Sequence, residues 1–291
     1  MSYQGVMINP KRFHRSQIKF YLVLIPLALF MVLPLVFIIC HSLKPLDELF
    51  AFPPKIFVQN PTLDNYKNLF EVGSGTVVPM VRYLFNSILV TILVVIGTWI
   101  ITITAGYVLS KKKFKLKKRL LGINQAAMMF VATAVVIPRY FIITNIGLAN
   151  TMWVHIFPLL AMPVGLFLIK NFMDQVPDEL IEAAYMDGAN DIQIIFRVII
   201  PIIKPAIATV GILAFQQVWG NVETSNIFVT DETLKTFAFY MNTLTASTAG
   251  NTIVGVGMQA AATVLMFLPN LIIFIFMQSK VMATMAHSGI K

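Results

Sequence analysis

An all-α integral membrane protein with six transmembrane helices is the fold class this chain predicts, on three observations. Of its 291 residues 57% are hydrophobic and only 12% charged, with a mean hydropathy of +0.78, where a soluble domain carries about 25% charged residues. Six apolar stretches, near 20–42, 83–109, 120–143, 151–171, 205–224 and 253–279, approach the roughly 20 residues that a hydrocarbon core of about 30 Å requires. The basic residues between them are unevenly shared. With the N-terminus inside, sixteen of the 22 Lys and Arg fall on the cytoplasmic side, as the positive-inside rule demands. Both termini are then cytoplasmic and the protein is multi-pass in a cell membrane. A single membrane domain over 20–279 leaves cytoplasmic tails at 1–19 and 280–291, an outer loop at 43–82 and a cytoplasmic loop at 173–204. A further folded domain of about 100 residues has no room.

Taken in order, the tail carries Lys11, Arg12, Arg15 and Lys19. The first span is longer than a signal-peptide core of about 7–15 residues and no A-x-A site follows it; Pro26 and Pro34 interrupt it, and it reads as a retained helix. Cys40, the single cysteine, excludes an intramolecular disulfide and fits a buried thiol. The Pro-rich outer loop contains PTLDNYKNLF, a short amphipathic helix with Thr62 or Asp64 near its N-cap. Between spans two and three stands KKKFKLKKR, Lys111 to Arg119. It is a topology anchor suited to anionic lipid headgroups, and without a folded scaffold around it nothing points to nucleic acid. Span three ends near Arg139, which can anchor at the interface or meet an anionic solute. His155 and Lys170, near span ends, are expected to hydrogen-bond locally or snorkel.

The loop before span five is the unusual part. All six cytoplasmic acids (Asp174, Asp178, Glu179, Glu182, Asp187, Asp191) lie in or beside it. Pro177 suits a helix's first turn, and the acids that follow suit its positive end. Leu180, Ile181, Ala184 and Tyr185 recur at helical spacing. Gly188 permits the left-handed residue that ends a helix, and Asp191 can cap a second short helix through Phe196. This is a helix–turn–helix on the cytoplasmic face. Its small residues, Ala183, Ala184, Gly188 and Ala189, let the backbone seat in another protein's groove. The competing reading lays the helix on lipid, which the acidic first turn opposes.

Span five and its exit offer Phe215, Gln216, Gln217, Trp219, Asn221 and Glu223, aromatic faces and amides of the kind that hold a sugar. Polar residues inside a membrane often mark a pathway, but Trp219 also suits an interfacial belt and the amides also suit helix–helix bonding. A polar outer loop, 225–252, precedes span six. The chain has no G-x4-G-K-[ST] phosphate loop, no HExxH, no metal-spaced Cys/His cluster and no G-x-S-x-G, so no metal site and no catalytic chemistry are expected of it.

Glu182-Ala183-Ala184, Gly188 and Pro201 stand at the spacing EAA-x3-G-x9-I-x-L-P, with Val198 and Ile200 in the Ile and Leu places. This pattern resembles the cytoplasmic signature of permease subunits of binding-protein-dependent ABC importers. SLKPLDELFAFPPKIF, PTLDNYKNLF, IPRYFIITNIGLANT and the VWGN around Trp219 are similar to the carbohydrate-uptake subfamily, on the maltose-permease G-subunit side. The ending MAHSGIK departs from the G-rich tail of the maltose proteins and resembles a variant in oligosaccharide permeases of Gram-positive type. The resemblance implies a type I ABC importer permease fold without an enzyme activity of its own. It implies a second, different permease as heterodimer partner, two ATP-binding subunits that bind ATP and Mg, and an extracytoplasmic solute-binding protein. Glu182, Ala183, Ala184, Asp187, Gly188 and Ala189 would couple to the ATPase. Carbohydrate is the expected cargo; a non-sugar solute is the alternative. An ion-coupled carrier would need carboxylates inside broken spans, and none lies well within a span.

Overall fold

The computed structural model of the chain describes residues 17–74, 78–248 and 255–288. The basic tail 1–19 up to residue 16, residues 249–252 of the second outer loop, the first two residues of the predicted span 253–279 and the last three of the tail 280–291 lie outside the described residues. Every element is helical, with no strand among the described residues.

The chain divides into two compact units, one of residues up to Val72 with Thr245–Leu265, the other of Gly73–Leu244 with residues from Met266. In the first, α1 (Ile18–Leu43) matches the first predicted span, and its apolar side chains are almost all exposed while Ser42 at its end is buried. A helix apolar on all sides belongs in a low-dielectric medium. After α2 (Leu46–Leu49), the Glu48 carboxylate accepts the backbone N–H groups of Gln59 and Asn60 at 3.0 and 2.7 Å, closing the Pro-rich loop on itself. The predicted amphipathic helix is α3 (Asp64–Ser74), with Asp64 in its first turn. Asn65 of α3 is buried, and its amide donates to the carbonyls of Ser42 and Lys44 at 3.0 and 2.8 Å, which satisfies the loose carbonyl end of α1. The same unit includes the start of α15 (Gly255–Ser288), where Gly257 lies against Asn65.

The second unit is built on α4 (Met80–Lys111), a 32-residue helix that extends the second predicted span at both ends. The third and fourth predicted spans differ from single helices, and proline placement gives the reason, whereas the sixth is one helix, α15, with Pro269 carried inside it. Residues 120–143 comprise α5 (Lys117–Met129), an extended break at Phe130 and Val131, a 3-10 turn and α6 (Val136–Asn145), with Pro138 in the first turn of α6. There its missing N–H is harmless. Residues 151–171 comprise a 3-10 turn (Met152–His155), α7 (Phe157–Leu160) and α8 (Pro163–Asp174), the last two bent by 42° before Pro163, since the residue before proline is turned out of helical geometry. The fifth predicted span stops early: α12 (Lys204–Trp219) ends at Gly220, and Glu223–Phe228 form a separate helix, α13. α14 (Phe237–Thr248) follows. α15 runs to Ser288, well into the segment expected to be a tail.

α4, α8 and α12 pack together through small residues. A side chain at Gly106 of α4 would meet Ile169 of α8 at 2.9 Å, and one at Gly211 of α12 would meet the Trp99 ring at 2.6 Å. Such close approach is the usual means of helix association where lipid removes most of the hydrophobic driving force. Trp99 Nε1 donates to the Ile207 carbonyl at 3.0 Å, fixing α4 to α12.

Candidate functional site

The acidic loop forms the expected helix–turn–helix, with two corrections at its caps. α9 (Asp178–Met186) begins one residue later than Pro177, which is the extended N-cap, and Asp178 and Glu179 occupy the first turn. At the other end Gly188 has φ +80°, a conformation that costs side-chain-bearing residues about 1 kcal/mol or more. Its N–H reaches Tyr185 O at 3.0 Å and that of Ala189 reaches Ala184 O at 2.9 Å, the pair of bonds of a Schellman motif. The second helix, α10 (Asp191–Ile194), is capped by Asn190 and not by Asp191. Asn190 Oδ1 accepts the Gln193 N–H at 2.9 Å and the Gln193 side chain accepts the Asn190 N–H at 3.0 Å. Asp191 is thereby released to face elsewhere. A π-helical turn at Ile195–Ile199 and α11 (Ile200–Ile202) lead to an 87° bend before α12. Pro201 and Pro205, which lack N–H donors, flank it.

One apolar core joins this loop to the helices beneath it. Ile181, Ile194, Ile195 and Ile199 are buried with Ile103 and Tyr107 of α4, Ile169 and Met173 of α8, and Ala206 and Val210 of α12. Removing each such Ile from water contributes roughly 1.5–3 kcal/mol. The apolar face expected from spacing is therefore only partly internal: Ile181 is buried and Ala184 half-buried, whereas Leu180 and Tyr185 are exposed.

The loop's acids divide into two sets. Asp174, Asp178 and Asp191 are held by the chain itself. Lys170 and Ser110 both hold Asp174 at 2.6 Å. Lys111 contacts Asp178 at 2.7 Å and donates to Val176 O. Asp191 Oδ1 takes three partners: Lys112 Nζ at 2.7 Å, the Tyr107 hydroxyl at 2.8 Å and the Tyr185 hydroxyl. These donors, Lys112 first, hold the Asp191 carboxyl down to about 2. Lys112 also lies 5.7 and 5.3 Å from the centres of the Tyr107 and Tyr185 rings, within cation–π range. Among the described residues Glu179, Glu182 and Asp187 have no ion-pair partner and are exposed, beside Met186 at 89%, Ile192 at 66% and Phe196 at 65% exposure. Glu182, Ala183, Ala184, Asp187, Gly188 and Ala189 thus share one short ridge with an acidic and apolar outer surface.

The residues considered for a solute are arranged differently. The Trp219 ring is buried, stacked on Phe215 at 5.6 Å, and its Nε1 donates to Met266 O at 3.1 Å; it packs helices and offers no free face. Asn221 accepts from the Thr224 N–H and hydroxyl at 3.0 and 2.8 Å. Arg139 is paired with Glu223 at 2.8 Å, which cancels the charge an anionic solute would have met. Gln216 and Gln217 are exposed on α12. His155 is fully buried between the Thr224 hydroxyl at 2.7 Å and Leu234 O at 3.1 Å, which are bonds to distant segments of the chain and not the local bond expected. Lys170 is held locally, by Asp174 one turn on.

Sequence reasoning missed Tyr107, Lys111 and Lys112 as parts of this site. The lysines were absorbed into the basic run. The available signal was the excess of loop carboxylates, which requires nearby cations. Lys113, Lys115, Lys118 and Arg119 stay exposed, as an anchor to lipid headgroups requires. All six ion pairs among the described residues join groups that the charge rule assigned to the same side of the membrane.

Comparison with known proteins bears on this arrangement. Residues 97–279 match the family described as binding-protein-dependent transport system inner membrane component. The inner membrane ABC transporter permease protein YcjP of Escherichia coli (strain K12) is 27% identical over 95% of this chain and 97% of its own. The galactooligosaccharides transport system permease protein GanQ of Bacillus subtilis (strain 168) is 27% identical over 93% of this chain and 94% of its own. A crystal structure of a bacterial ABC transporter involved in import of the acidic polysaccharide alginate contains a chain that superposes with a TM-score of 0.76 at 21% identity, over 93% of this chain and 99% of that one.

Proposed function

This chain belongs to the binding-protein-dependent transport system inner membrane components, and from that premise we propose that it is one of two different permease subunits of an ATP-driven importer for oligosaccharides. The carbohydrate assignment draws on relatives such as GanQ and on the outer-loop motifs. The alginate importer contributes the fold alone. Its partners would be a second permease, two ATP-binding subunits that carry ATP and Mg, and an external solute-binding protein, with both termini of this chain in the cytoplasm.

The observation that carries the reading is the ridge at 182–189. A permease of this kind needs a rigid projection that an ATPase subunit can grip. Here the projection is capped at both of its helices, ended by a left-handed glycine, and buried at its base by Ile181, Ile194 and Ile199. Its outer face keeps unpaired acids and large apolar side chains exposed, a composition suited to a protein groove and opposed by an anionic lipid surface. Closure of the ATPase pair would move the ridge, and α4, α8 and α12 would follow because they share its core.

Gly188→Trp tests this. The space around Gly188 is open, so the bulk projects outward, while the positive φ adds strain of about 1–2 kcal/mol. Purification in mild detergent should recover the variant in the membrane fraction with the ATP-binding subunit lost. Normal retention of that subunit, with normal ATP-driven uptake, would count against the reading.

A further inference from the structure

We propose that Tyr107, Lys112 and Asp191 form a latch through which movement of the loop ridge reaches α4, and that they are positioning residues for the transport step. The inference rests on the importer reading above.

Three observations carry it. The hydroxyl of Tyr107, a side chain buried within α4, reaches out of the helix core to Asp191 at the first position of α10. Asp191 is free for this contact because Asn190 and Gln193 form the capping box in its place. Lys112, the first residue beyond α4, closes the arrangement by contacting the Asp191 carboxylate and the Tyr185 hydroxyl at 2.7 and 2.8 Å. The latch therefore ties both loop helices, α9 through Tyr185 and α10 through Asp191, to one point at the end of α4. A second tie, Lys111 to Asp178, holds the start of α9 to the same end.

Apolar packing alone permits two helices to slide. A multi-donor, charge-assisted cluster fixes direction as well as distance. Immediately beneath, Gly106 brings α4 against Ile169 and Met173 of α8 with no space for a side chain. A displacement of the ridge is thus delivered to α4 and α8 together. An exposed ion pair by itself contributes little stability, so the latch is better explained by geometry than by folding energy.

The test uses the complete purified complex with its ATP-binding subunits. Hydrogen–deuterium exchange is compared between nucleotide-free and ATP-trapped states, and no identified solute is needed. In the unmodified chain, nucleotide should alter exchange both in the loop, 178–194, and in the end of α4, 102–112. In Tyr107→Phe and Asp191→Asn the loop response should persist. The α4 response should fall on the order of tenfold, the change expected for one lost charge-assisted hydrogen bond. The double exchange Lys112→Asp with Asp191→Lys should recover it, which a merely structural role would not predict. An undiminished α4 response in both single variants overturns the latch and leaves the importer reading intact. A diminished response that the double exchange fails to recover also overturns it. An unmodified chain that retains no ATP-binding subunit and responds to nucleotide nowhere overturns the importer reading itself, and the latch with it.

Discussion

The Asp191 carboxylate shows how one side chain acquires a role by being excused from another. Asn190 does the capping, so Asp191 collects Lys112, Tyr185 and Tyr107. Its folded-state carboxyl is depressed to about 2 from the ordinary 3.8. The stabilisation it contributes is therefore fully present above the ordinary value and is lost as pH falls through the folded one. The group is about half exposed, so solvent screening limits the size of the effect. The melting-temperature difference between the parent complex and Asp191→Asn should be flat from pH 5 to 8 and close as pH drops below about 4. A difference that instead changed between pH 6 and 8 would point to another titrating group. Much of the ridge was legible at this scale, because Gly188, the first-turn acids and the EAA spacing have local meaning. The latch was not. A lysine's partner 79 residues away leaves no trace in spacing, and the basic run already had a sufficient explanation in topology.

Among elements, long apolar helices were read to within a few residues, as α1 and α4 show, because their apolar runs are long and uncharged; Pro26 and Pro34, expected to interrupt the first span, are carried inside a continuous α1. The broken spans were not, although their causes are present in the sequence. Pro138, Pro158, Pro163, Pro201 and Pro205 are visible, but a proline one turn into a helix and a proline in its middle look alike until the break is located. In the first unit the junction of α3 with the start of α15 depends on a single missing side chain. A Cβ at Gly257 would lie 2.2 Å from Asn65 Oδ1 and would push that amide off the Ser42 and Lys44 carbonyls. Gly257→Val is expected to destabilise this unit by about 1–3 kcal/mol, the cost of leaving buried polar groups unpaired. A melting experiment on the purified subunit, with Gly220→Ala as a control at a roomy position, would check this. Equal melting of Gly257→Val and the parent would contradict it.

For the molecule as a machine, the side chains proposed for solute contact narrow to a short list. Trp219 is occupied with packing and Arg139 with Glu223, which leaves the exposed amides Gln216 and Gln217 on α12. Replacing both by Ala should raise the concentration for half-maximal uptake roughly tenfold, as expected for lost hydrogen bonds to sugar hydroxyls, with retention of the ATP-binding subunit unchanged. Unaltered uptake kinetics would move the solute site to other residues. The basic end of α4 has a further consequence, which concerns the order in which the chain is made. Lys111 and Lys112 leave the ribosome 67 and 79 residues ahead of Asp178 and Asp191. Until those aspartates are made, these lysines would meet headgroups and water, where the positive-inside rule has them hold the second span in its orientation. Once the fourth span is in place the aspartates arrive and claim them. On the proposed reading the same two charges would act first as a guide to insertion and afterwards as part of the latch, and the change of partner would mark the moment when the cytoplasmic loop is complete.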